Sequence, residues 1–136
     1  MWSWLAVGFW MVGILYTSSL GQAVTPVSGP LQTLVAKIGH IVEYAILGGL
    51  VCAALIKERG GATVGRGDLL LALLVSGLFA VADEVRQAFS PGREPRVTDV
   101  LLDCASALAG MAALRWWLLP RAADRVSSTR SRPNGP

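Results

Sequence analysis

The chain has 136 residues, 53% of them hydrophobic and 15% charged, against roughly 25% charged in an ordinary soluble domain. Together with a mean hydropathy of +0.52, this composition excludes a typical water-soluble domain and points to an integral membrane protein. The net charge of +3 comes mostly from the C-terminal tail and reads as attraction to anionic lipid. No basic or aromatic arrangement suits a nucleic-acid groove.

Four stretches are long enough to cross a hydrocarbon core of about 30 Å, which takes roughly 20 helical residues. They run Trp2–Leu20, Leu34–Ile56, Leu69–Phe89 and Val100–Leu119. The expected fold is all-α, an integral membrane bundle of four transmembrane helices over residues 1–119. A disordered basic tail is expected over 120–136, where Arg, Ser and Pro show no apolar periodicity. The first stretch reads as a helix rather than a signal peptide. Its start, Met1-Trp2-Ser3-Trp4, lacks basic side chains, and its apolar run exceeds the usual signal core. Trp2 and Trp4, with Trp116 and Trp117, suit an aromatic belt on one face of the membrane.

The second stretch carries Lys37, His40, Glu43 and Tyr44 in its front half. Ionisable groups in a membrane helix are expensive and normally face a protein interior or a wet cavity. Lys37, His40 and Tyr44 share one stripe, with Glu43 beside it. Asp83 and Gln87 form another on the third stretch, while Glu84 points about 100° away. Asp99 and Asp103 open the fourth stretch. Small residues flank these stripes, at Ala45, Gly49 and Ala53 and at Ser106 and Gly110, and would allow close helix approach.

Orientation follows from the basic residues. Lys57, Arg59 and Arg66 fill the second connection and Arg121, Arg125, Arg130 and Arg132 the tail, whereas Gly21–Thr33 holds no charge. A bacterial inner-membrane protein with both termini cytoplasmic is therefore expected. Arg93 and Arg96 break the rule on the outer side, which invites a functional reading. In this topology His40 lies about 9 Å and Glu43 about 14 Å below the outer end of the second helix, and Asp83 about 9 Å below the end of the third. Polar groups thus converge in the outer half of the bundle, and the inner half is expected to be almost purely apolar. Cys52 and Cys104 should stand some 20 Å apart along the membrane normal and remain free thiols.

The block His40-x-x-Glu43-Tyr44-x-x-Leu47-Gly48, then Asp83-Glu84-x-x-Gln87-x-Phe89-x-Pro91-Gly92-Arg93, then Asp99-Val100-x-x-Asp103, resembles the VanZ-like family of small membrane proteins over roughly Tyr16 to Leu114. The resemblance implies a bundle of a few transmembrane helices. Through the family's founding member it also implies a place in glycopeptide resistance, against teicoplanin. Two positions depart from the family pattern: Arg86 stands where His is usual, and Asp103 where Asn is usual.

Three functional classes fit the residues. In the first, Lys37, Arg93 and Arg96 draw in the charged headgroup of a membrane lipid, lipid-linked envelope molecule or lipoglycopeptide, and His40, Glu43, Tyr44, Asp83, Gln87, Asp99 and Asp103 line its site. In the second, His40 oriented by Glu43 acts as a general base, with Mg²⁺ or Ca²⁺ held by Asp83, Glu84, Asp99 and Asp103. In the third, the polar residues only fasten helices or bind a partner protein. No catalytic signature is complete, which favours the first class.

Overall fold

A computed structural model describes residues 2–20, 30–61, 63–89 and 95–130. Among them the chain forms four helices and no strand: α1 Trp2–Leu20, α2 Pro30–Glu58, α3 Arg66–Ala88 and α4 Val97–Arg130. Proline opens α2, at the one helical turn where a missing N–H removes no internal bond. Gly60, at φ 63°, closes it. The Gly60 N–H donates to Lys57 O at 3.1 Å and the Gly61 N–H to Ile56 O at 3.1 Å, a paired arrangement that a left-handed glycine permits. The first turn of α3 is held by Asp68, whose carboxylate accepts the Gly65 N–H at 2.8 Å and pairs with Arg59.

α4 runs past the expected stop at Leu119. Its backbone stays helical through 120–130, a stretch expected to be disordered, and residues 131–136 lie outside the described residues. Beyond Pro120, Arg121, Ala122, Ala123 and Arg125 are good helix formers.

α2 packs most extensively on α4, α3 closes a triangle with both, and α1 lies against α2 and, less closely, α3. α2 and α4 run parallel and cross where small residues meet. A Cβ on Gly48 would stand 2.8 Å from Ala107 Cα, and one on Gly110 would overlap the Ala45 backbone. Glycine at these two positions is what lets the backbones touch. The core beside this crossing contains Tyr44, Leu47, Val51, Ala54, Ala107 and Met111.

The bundle is apolar outside. Leu5 and Phe9 on α1, Leu34 and Ile38 on α2, Leu74 and Leu78 on α3, and Leu101 and Leu108 on α4 are all exposed. α3 is inverted outright: its buried face is Asp68, Ala72, Ser76, Ala80, Asp83, Glu84 and Gln87, with no large apolar side chain among them. Where four spans were expected, two helices among the described residues, α2 and Val97–Leu118 of α4, are long and apolar enough to cross a membrane. α3 does not qualify because any eighteen-residue window within it contains three charged residues. α1 is shorter and ends in Tyr16, Thr17, Ser18 and Ser19. The two cysteines are free, Cys52 buried and Cys104 half-buried.

Candidate functional site

The ends of α1 and α3 and the starts of α2 and α4 meet at one end of the bundle, and the polar stripes gather there. Two contacts link α2 to α4. Lys37 Nζ stands 3.5 Å from Asp99 Oδ1, and one turn further in His40 Nδ1 stands 3.4 Å from Asp103 Oδ1. These residues recur at three- and four-residue spacing on parallel helices, so the stripes meet as successive rungs. The His40 ring stacks on Tyr44, with centroids 6.1 Å apart and planes 13° apart, and Tyr44 in turn meets Phe79 of α3 at 6.2 Å.

Glu43 turns the other way, toward α1. Its Oε1 accepts the Thr17 hydroxyl at 2.7 Å, while its backbone carbonyl accepts the Trp10 indole N–H at 2.9 Å. One residue of α2 thus holds α1 at two depths. The carboxylate facing the His40 ring is that of Asp103 rather than Glu43.

Asp83 is 1% exposed and lies between α3 and α1. Its Oδ1 accepts from Arg86 Nη2 at 3.0 Å, and its Oδ2 from Gln87 Nε2 at 2.9 Å. Arg86 and Gln87 also donate to Ser18 Oγ, at 2.8 and 2.9 Å, and Arg86 Nη1 donates to Ser19 Oγ at 2.7 Å. Such charge-assisted bonds are the strong ones in a low-dielectric interior. Glu84, one residue on, serves α4 instead: its Oε1 accepts the Arg96 N–H at 2.6 Å, directly before the first turn of that helix.

The structure therefore brings Lys37, His40, Tyr44, Asp99 and Asp103 together on the α2–α4–α3 side, and Asp83 and Gln87 on the α1–α3 side, with Glu43 tying α2 to α1. Arg93 lies outside the described residues. Asp83, Glu84, Asp99 and Asp103 do not gather around a common point. Each turns to a different partner, and among the described residues no group of three His, Cys, Asp or Glu side chains is placed to hold a metal ion.

Several members of the layer escaped the sequence reading. Arg86 was noted only as a departure from a family pattern, yet it is the cation on Asp83; its position three residues on was the available signal. Trp10 left no signal, since tryptophan in an apolar helix is ordinary. The inner half is not purely apolar either: Ser76 and Asp68 are buried there, at 0% and 2% exposure, because the first turn of α3 uses an acidic side chain to hold the preceding loop.

The VanZ/LLP1 family model matches residues 3–118. No curated protein and no solved structure matches the chain. The match takes in all the described residues of the polar layer, and the chain belongs to the VanZ/LLP1 family.

Proposed function

We propose that this chain is a multi-pass bacterial inner-membrane protein that recognises a lipid, a lipid-linked envelope molecule or a lipoglycopeptide at the outer leaflet, in a role of the teicoplanin-resistance type. All four helices cross the bilayer in this reading, with both termini and the 57–67 connection in the cytoplasm. The observation that carries it is an inverted bundle end: an apolar exterior on every helix surrounds a layer to which all four contribute charged or hydrogen-bonding side chains. Burying that many ionisable groups in lipid is unfavourable and is generally retained for function. His40 and Glu43 are partly accessible within the layer, and Lys37 and Asp99 stand at its rim, where a headgroup would first meet them.

A second reading has an observation of its own. Lys37, His40, Glu43, Asp83 and Glu84 each meet a partner within the protein, which is what fasteners between helices would do. Protection of a sensitive host against teicoplanin separates the two, with membrane abundance measured alongside. Recognition predicts that Glu43→Gln and Lys37→Ala lose protection at normal abundance. Loss of protein together with protection would favour fastening, and full protection by both variants would remove the layer from the function.

A further inference from the structure

Thr17, Ser18 and Ser19 follow one another at the end of α1. Two of them behave as hydroxyls in an apolar helix usually do: Thr17 and Ser19 reach back along the helix and donate to Ile14 O and Leu15 O. Ser18 does not. It is 7% exposed, and its Oγ accepts from Arg86 Nη2 at 2.8 Å and from Gln87 Nε2 at 2.9 Å. A serine oxygen has two lone pairs and one proton. Both lone pairs are filled from α3, and among the described residues no acceptor takes the proton. Asp83 fixes the amide orientation behind this count. Gln87 Nε2 also donates to Asp83 Oδ2 at 2.9 Å, and turning the amide over would set its carbonyl against a carboxylate.

Arg86 has a donor to spare beside it. Of the five N–H groups of a guanidinium, Nε and one on Nη2 go to Asp83 Oδ1, the other on Nη2 to Ser18, and one on Nη1 to Ser19. One hydrogen on Nη1 remains. Asp83 occupies the Nε–Nη2 edge, so this hydrogen is off the edge that faces the carboxylate. The Arg86 side chain is 34% exposed, which opens it to the end of the bundle. The acceptors around it are spent: Asp83 has both oxygens taken, and Ser19 Oγ gives one bond and receives one. Buried polar groups rarely leave bonding capacity unused, and a hydroxyl that accepts from a cation is polarised into a stronger donor.

We propose that Ser18 Oγ–H and the remaining Nη1 hydrogen of Arg86 form an oxyanion subsite at the α1–α3 seam, taking a phosphate or carboxylate oxygen of an amphiphile. Asp83 and Gln87 are positioning residues that hold the guanidinium and load the serine. Donors alone favour an ionised acceptor over an alcohol, because charge-assisted bonds are about twice as strong, and they reject an ammonium, which accepts nothing. The subsite rests on the reading that the polar end receives a ligand, and it names the chemical group held on the α1 side.

The full chain in dodecyl maltoside, a detergent without an oxyanion, is titrated with radiolabelled dodecyl phosphate, laurate and dodecanol, and binding is read by scintillation proximity. The wild type should bind dodecyl phosphate or laurate about tenfold more tightly than dodecanol, as for one hydrogen bond to a charged group; the tighter of the two names the oxyanion. Ser18→Ala should abolish that preference with dodecanol affinity unchanged, Ser18→Thr should keep it, and Leu78→Ala on the apolar exterior should match wild type. Equal wild-type affinity for the three head groups overturns the proposal without any variant. So does a folded Ser18→Ala protein, shown by an unchanged gel-filtration profile, that keeps the full preference or loses all three amphiphiles alike. Teicoplanin that fails to bind a wild type showing the oxyanion preference refutes the teicoplanin role and leaves the subsite standing.

Discussion

Asp103 and His40 approach to 3.4 Å, beyond the 2.7–3.2 Å of a good N–H···O bond, and Asp103 is 3% exposed. The imidazole is nevertheless the partner of that carboxylate across the α2–α4 seam, so the two should act as a unit. A double-mutant cycle with His40→Ala and Asp103→Ala, read by thermal unfolding in detergent, should give a coupling of about 0.5–3 kcal/mol, as for residues sharing one network; additive effects would mean the contact carries no energy. Glu43 and Thr17 form the corresponding link to α1. Thr17→Val should lower stability by about 0.5–1.5 kcal/mol, the net worth of one hydrogen bond, and Thr17→Ser should retain most of it. The residue types at the polar end were legible in the sequence because lysine, histidine and carboxylates stand out in an apolar chain. Their partners were not. Glu43 and His40 are three apart and read as a pair, but each is drawn off by a neighbouring helix, which only the packing of α1 and α4 decides.

Helix spacing set the α2–α4 contact. Small residues were recognised on both faces, while the structure puts the tightest approach at Gly48 on Ala107 and Gly110 on Ala45. Overpacking of a tight site costs roughly 1–3 kcal/mol and occasionally more. Gly110→Leu should therefore separate the helices and abolish folded protein in detergent, whereas Gly39→Leu, with open space around it, should be tolerated. Accumulation of a normal, folded Gly110→Leu protein would contradict the crossing. The elements themselves were legible to within a few residues, because hydrophobic length is a direct signal. The extension of α4 to Arg130 was not, since its residues carry helix propensity without an apolar face. Nor was the inversion of α3 fully visible: Ser76 and Asp68 belong to its buried face, which the sequence pattern did not single out.

At the scale of the molecule the account rests on direction. Parallel α2 and α4, with α3 between, place Lys37, His40, Asp99 and Asp103 at one end and the Arg59–Asp68 pair at the other. In the proposed topology the Lys and Arg excess near the second end and in the tail places that end in the cytoplasm. In a chain with Cys52 and Cys104 replaced by Ala, an impermeant thiol reagent on intact cells should label a cysteine placed at Gly29 and spare one at Ser131; the reverse would move the polar layer to the cytoplasmic side. Recognition is the claim that most needs direct measurement. Equilibrium binding of fluorescent teicoplanin to the purified full chain in lipid nanodiscs should be saturable, weakened about tenfold by Glu43→Gln, as for loss of one contact of about 1.4 kcal/mol, and unchanged by Leu78→Ala. No saturable binding, or equal affinity for the wild type and Glu43→Gln, would contradict the account.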